Sequence, residues 1–312
     1  MTSKQVYRGV IDYDCNKAHI GDIRYARSMP KDPCFIAYDS SFSVLLGSNP
    51  KITIVEQRKD KFAHEAGVYI KSTNKNYFTS NYQSDKTIET YAIDCKTHEI
   101  TEDKFEHVVT ANGACHWKDK ILYCCQGDYN TPSALVLVDP STSKSEIVIN
   151  NLYGREFNSI NDVVIHHERD EIWFTDPTYG FEQAFRPSPM LPSQVYRYKP
   201  TTGQIWCVAD GFVQCNGLCF SPDYKKMYIT DTGALSAHGT PATGQNISLN
   251  PRLPASIYEF DVVDNGTRLA SRKMFAYCDV GIPDGIKCDE AGNVYSGCGD
   301  GVRFIVRTTS TD

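Results

Sequence analysis

Glu65, Asn112, Asn161, Asn216 and Asp284 stand at matching places in five similar stretches of the chain, each heading a short apolar run. Two carboxylates and three amides offer only hard oxygen donors, and no cysteine or histidine occupies a head position. Brought together, such a set suits calcium, which accepts about six to eight oxygens in flexible geometry; zinc would want nitrogen or sulfur, and magnesium, the other divalent candidate, demands a tight octahedron. Two carboxylates facing each other across a channel would also repel strongly without a cation. Any one head has a blander reading, since polar residues at strand starts commonly cap turns and Asn-Gly or Asp-Gly alone is weak evidence. It is the five together that point to a metal.

The elements that must position these heads are read from the stretches themselves. In NGLCFSPDYKKMYITDT, from Asn216 to Thr232, Asn-Gly and Ser-Pro-Asp mark turns, so Leu218-Cys219-Phe220 is a short strand and Met227-Tyr228-Ile229 its hairpin partner. The unit recurs at Glu65, Asn112, Asn161 and Asp284, with successive heads 47, 49, 55 and 68 residues apart. A second hairpin follows most copies, as in Ile88–Ile93, Leu135–Val138, Val195–Tyr198 and Ile257–Phe260. Two hairpins per period is the signature of four-stranded blades arranged radially, so the expected fold is an all-β, six-bladed β-propeller with residues 1–312 as one domain and no helix-period segments. In a propeller the first strand of each blade lies innermost, which places the heads at the mouth of the central channel. Two long insertions, Pro177 to Ser193 and Thr232 to Ala255, follow second strands and so fall on the same face. The first carries Tyr179, Phe181, Phe185 and Met190, either an apolar lining for a small ligand or a loop packing its own aromatics on the blade edges.

Bulk composition narrows the partners. With 41% hydrophobic and 22% charged residues in 312, the chain reads as a soluble globular protein. A net charge of −6 argues against nucleic-acid or anionic-membrane surfaces, leaving small molecules as the expected partners. No run of 18 apolar residues occurs and Met1-Thr2-Ser3-Lys4-Gln5 is not followed by an apolar core, so the expectation is a cytoplasmic protein with neither membrane span nor leader. The sequons Asn246-Ile247-Ser248 and Asn265-Gly266-Thr267 weigh the other way, toward a secreted protein whose leader has been removed. The twelve cysteines are scattered, often within apolar strands, as reduced core thiols would be. Oligomeric state is not legible.

The ordered set of motifs resembles a known family. His64-Glu65-Ala66-Gly67-Val68, Asn161-Asp162 before Trp173-Phe174-Thr175-Asp176-Pro177-Thr178-Tyr179-Gly180, Leu191-Pro192-Ser193-Gln194-Val195-Tyr196-Arg197, Asn216-Gly217 before Ser221-Pro222-Asp223, and Pro283-Asp284-Gly285 are similar to the senescence marker protein/gluconolactonase family. Within it they are most similar to the fungal lactonohydrolase branch, over about residues 35 to 306. The resemblance implies a calcium-dependent lactone hydrolase on a six-bladed propeller. It implies that Glu65, Asn216 and Asp284 bind the metal, that Asn161 stands near metal and substrate, and that Asp284 is the general base. The metal would polarise the lactone carbonyl while Asp284 takes a proton from attacking water. Asn112 fits the axial pattern and, with His64, His116, Tyr179 and Phe181, makes up the expected substrate contacts. Related propeller lactonases use histidine near the metal, which makes His64 and His116 alternative bases.

The chain also departs from the family. Ser159 stands where some gluconolactonases carry an Arg that contacts sugar hydroxyls, which shifts weight toward less polar lactones. Cys215 precedes Asn216-Gly217 where Pro is common, and only Gly301–Val306 and a polar tail follow the last head unit. The amino-terminal runs Phe35–Tyr38 and Ser43–Leu46 are expected to supply outer strands toward an incomplete sixth blade. Competing readings are a non-hydrolytic isomerase or cyclase on the same pocket, and a truncated binding propeller without catalysis.

Overall fold

The structure, a computed structural model, describes residues 6–8, 33–38, 40–82, 87–238 and 246–305. It forms two compact units, Met1–Gln57 with Phe304–Asp312, and Arg58–Arg303. In the first unit Val6–Arg8 pairs in parallel with Phe35–Ala37, and a helix spans Ser40–Leu46. Phe42 on that helix packs its ring against Phe35 and Phe304, with centroids 6.4 and 5.4 Å apart. The expectation that Ser43–Leu46 forms an outer strand is therefore corrected. A helix pairs its own backbone groups, and among the described residues no strand pairs with this segment. Phe35–Ala37 is a strand, but its partner is Val6–Arg8 and not a blade.

The second unit is the propeller. Its first blade is built from Glu65–Ile70, Lys75–Thr79, Thr90–Asp94 and Ile100–Asp103, and its second from Ala111–Trp117, Lys120–Cys125, Ala134–Asp139 and Lys144–Ile149. The third contains Val163–His166, Glu171–Asp176, Gln194–Lys199 and Gln204–Ala209; the fourth contains Cys215–Phe220, Lys226–Asp231, Ser256–Val263 and Arg268–Tyr277. A three-stranded fifth sheet follows, Ile286–Cys288, Val294–Cys298 and Gly301–Ile305. The fold class stands, but among the described residues there are five blades and not six. The five head units account for all of the blades, and no sixth inner strand adds to them.

Consecutive inner strands pack side by side, first on second through fourth on fifth. Each second strand is thereby covered on both faces, which is why Ile121-Leu122-Tyr123-Cys124-Cys125 and Ile172-Trp173-Phe174 read as unbroken apolar runs. Between the second and third blades Trp117, Leu122, Leu135, Phe174 and Tyr196 form one core cluster. Trp173, Leu218, Phe220 and Met227 form another between the third and fourth. Cys124, Cys125, Cys215 and Cys219 are buried in these layers, and every described cysteine is a free thiol.

Candidate metal centre

All five heads sit at the same local irregularity. In the first blade the pairing of inner and second strand slips by one residue between Glu65 and Val68, in the second between Ala111 and Ala114, and in the fourth between Cys215 and Leu218. The third and fifth blades repeat it: Asn161 and Asp284 donate their backbone N–H to Thr175 and Gly297, while Val163 pairs with Phe174 and Ile286 with Ser296. A bulge of this kind re-aims the side chain it carries, so a polar head can turn toward the axis while the rest of the strand keeps its buried alternation. Ala66, directly after Glu65, takes a left-handed φ of 59°, a conformation that costs an L-residue roughly 1–2 kcal/mol.

Four of the heads are also pinned by the blade before them. Thr79 Oγ1 donates to the carbonyl of Asn112 (3.0 Å), Thr175 Oγ1 to that of Asn216 (2.7 Å) and Thr230 Oγ1 to that of Asp284 (2.9 Å). In the second blade Cys124 holds the corresponding position, and the carbonyl of Asn161 is bound instead by Gly113 N (2.9 Å) and by Asn112 Nδ2 (3.4 Å). Behind the heads, Asp176 accepts the N–H groups of Asn158 and Ser159, and Asp231 those of Val213 and Gln214. The recurring pairs Thr175-Asp176 and Thr230-Asp231 were thus the sequence signal for this framework.

The framework brings Glu65, Asp284 and His64 together, with one ligand atom from each lying within 4.8 Å of the others. Asn216 joins them, hydrogen-bonding Asp284 through its side chain and donating Nδ2–H to Tyr179 Oη (3.2 Å), which is itself in contact with Thr232 Oγ1. Asn161 is 3% exposed, and its Oδ1 has no hydrogen-bond partner among the described residues. An orphaned buried carbonyl oxygen costs free energy unless something binds it.

Electrostatics point the same way. Burial first, then Asp284 and Asp162, pushes Glu65 well above the usual carboxylate range. Burial also raises Asp284, partly offset by His64 and by the hydrogen bond from Asn216. His64 is lowered by burial, against the pull of Asp284. Asp162, beside Asn161, accepts N–H from Val163 (2.8 Å) and Leu218 (3.2 Å) and faces Lys287 Nζ at 3.5 Å. Three carboxylates thus stand with one ammonium, which contacts Asp162, an excess of acidic groups that a dication would offset. The orphaned amide oxygen, the clustered carboxylates and this charge balance fit a hard divalent ion.

The other expected contacts lie variously. Tyr179 is buried and touches Asn216, but Phe181, on the short helix Tyr179–Glu182, is 47% exposed. His116 stands four residues beyond Asn112 at the far end of its strand, exposed, with Asp119 Oδ1 at 3.9 Å, so the structure does not bring it to the centre. The first insertion packs Phe185 on Tyr82 and is anchored by buried Arg186, which donates to the carbonyls of Asp128, Thr131, Phe157 and Asn158. Sequence reasoning passed over Asp162, Lys287 and Arg186, because each acts through a partner remote in the chain.

Residues 66–310 match the family described as the SMP-30/Gluconolactonase/LRE-like region. The chain is 31% identical over 301 residues to lactonohydrolase oryL of Aspergillus oryzae, spanning 90% of this chain and 69% of that protein. It is 26% identical over 178 residues to a gluconolactonase of Zymomonas mobilis, 54% of this chain and 44% of that one. Among solved structures, a gluconolactonase from Xanthomonas campestris shares the fold with a TM-score of 0.62 at 22% identity, covering 78% of this chain and 73% of that chain.

Proposed function

Given that the chain belongs to the SMP-30/gluconolactonase/LRE-like family, we propose that it hydrolyses a small lactone at a calcium centre held by Glu65, Asn161, Asn216 and Asp284. The observation that carries this reading is the meeting of Glu65 and Asp284 within 4.8 Å, joined by a buried Asn161 oxygen, on a matching head of the third blade, that has no hydrogen-bond partner among the described residues. Bound there, calcium would act as a Lewis acid toward the lactone carbonyl. The chain's own residues supply the rest. Asp284, raised by burial and partly offset by His64 and Asn216, would accept the proton of the attacking water in its ionised form, which a bound cation would favour. Asn216, tethered to Tyr179 and Asp284, holds the base in orientation. His64, adjacent and with its basicity lowered by burial, is a second proton acceptor and supports an alternative in which it, and not the carboxylate, serves as base.

The test is a panel of five- and six-membered lactones followed by acid release, with wild type, Asp284→Ala and His64→Gln, each in calcium and in chelator. Hydrolysis that needs both the metal and Asp284 supports the reading. Calcium binding with no lactone opened refutes hydrolysis and favours an isomerase, a cyclase or a binding propeller.

A further inference from the structure

A cavity of ≈ 230 Å³ adjoins the centre, lined by Glu65, Gly67, Asp162, Lys287, Tyr295 and Val302 among others. Glycines on its wall are not explained by the fold. Gly217 must be small, because a Cβ there would meet Asp284 O and Ile286 N at 2.8 Å. Gly285 directly follows the fifth head as Gly217 follows the fourth, yet a Cβ on it would meet nothing within 4 Å. The same is true of Gly67, and at Gly297 the nearest atom is Asp284 Cβ at 3.9 Å. None of these three has a left-handed φ. Neither backbone conformation nor crowding demands glycine at them; side chains there would fill the cavity.

The polar capacity of this space is one-sided. Lys287 lines the cavity, and 63% of its side chain is exposed. Its polar contact among the described residues is the 3.5 Å approach to Asp162 Oδ2, long for an ion pair. An ammonium carries three donors, so at least two remain for a ligand. Both oxygens of Asp162 already accept backbone N–H groups, and Glu65 is committed to the metal centre. Ala66, Ala114, Ile286 and Val302 make the remaining wall apolar. Among the charged groups lining the cavity, Glu65, Asp162 and Lys287, the ammonium is the one that donates, and it suits a group that accepts hydrogen bonds and carries negative charge.

We infer that the cavity receives an arm of the lactone ending in a carboxylate, with the Lys287 ammonium as its anchor. The inference rests on the lactonase reading for the word lactone, but the anchor itself can be tested without turnover. The probes are a five-membered lactone carrying a carboxylate on the ring carbon next to the ring oxygen, its methyl ester, and the ring-opened hydroxy dicarboxylate. In wild type with calcium, kcat/KM for the carboxylated lactone exceeds that for the ester by at least about tenfold, the worth of one charge-assisted hydrogen bond. In Lys287→Met that ratio falls to near one through KM, and in Lys287→Arg it is largely kept. Calorimetry of the dicarboxylate at fixed calcium shows the same order of affinities, and thermal melts establish that each variant is folded. If neither lactone is opened, the hydrolase reading fails while calorimetry still decides the anchor: binding that weakens in Lys287→Met and recovers in Lys287→Arg supports it. Equal treatment of acid and ester by wild type, or dicarboxylate binding indifferent to Lys287, overturns it.

Discussion

Thr175 Oγ1 donates a 2.7 Å hydrogen bond to the backbone carbonyl of Asn216, so a residue buried in the third blade holds in place a head of the fourth. Thr230 does the same for Asp284 and Thr79 for Asn112. The candidate metal centre is therefore assembled by contacts between blades, and its geometry depends on how tightly they are joined. Thr175→Val keeps the shape but removes the donor, which should cost about 1–3 kcal/mol of stability. It should also weaken calcium binding, because Asn216 loses its pin. Thr79→Val should cost similar stability with a smaller effect on calcium, since Asn112 is not among the proposed ligands. Urea melts with and without calcium measure both; equal calcium effects in the two variants would contradict the scheme.

Removing the metal should reverse the pH dependence of stability. Glu65 and Asp284 are raised in the metal-free fold, so that fold holds protons the unfolded chain releases. Their contribution is fully present below the ordinary carboxylate range and is lost as pH rises through their raised values. In chelator, melting temperature should accordingly fall as pH climbs above that range. With saturating calcium the trend should invert, because binding requires both groups ionised and releases their protons. Thermal melts across pH in both conditions give the answer.

Asn161→Asp should split the two states. A fourth carboxylate near Glu65, Asp162 and Asp284 adds repulsion to the metal-free protein but a charged donor to the loaded one. The variant should melt below wild type in chelator and gain more on calcium addition. A calcium-induced gain no larger than that of wild type would place the Asn161 oxygen outside the ligand set.

Asp284→Asn retains an oxygen donor while deleting the base, so kcat should drop by roughly 10²–10⁴. His64 acts to lower Asp284, so His64→Gln should move the acid limb of the kcat/KM profile to higher pH and leave appreciable activity. If His64→Gln is the more damaging change, the histidine is the proton acceptor.

The five heads were legible because each is a polar residue that interrupts an apolar strand at a repeating distance. A hairpin declares itself within about fifteen residues through turn chemistry and alternation. His116 shows the limit of this reading. It shares a strand with Asn112, but a strand runs from one face of the blade to the other, and four residues carried it away from the centre. The segment Ser43–Leu46 shows another, since an apolar run of that length suits a strand or a helix until a neighbouring edge is present or absent.

By itself the sequence determined the repeating hairpins, their assembly into a propeller and the oxygen donors carried by its heads, because these follow from local periodicity and side-chain type. Only the tertiary structure decided that the blades number five among the described residues, that Thr175 and Thr230 pin the next blade's heads, and that Lys287 meets Asp162 beside Glu65. The physical reason is range. Turn and strand preferences act between neighbours along the chain, whereas charge balance and inter-blade hydrogen bonds act between residues from 33 to 125 positions apart, whose meeting exists only once the blades have packed.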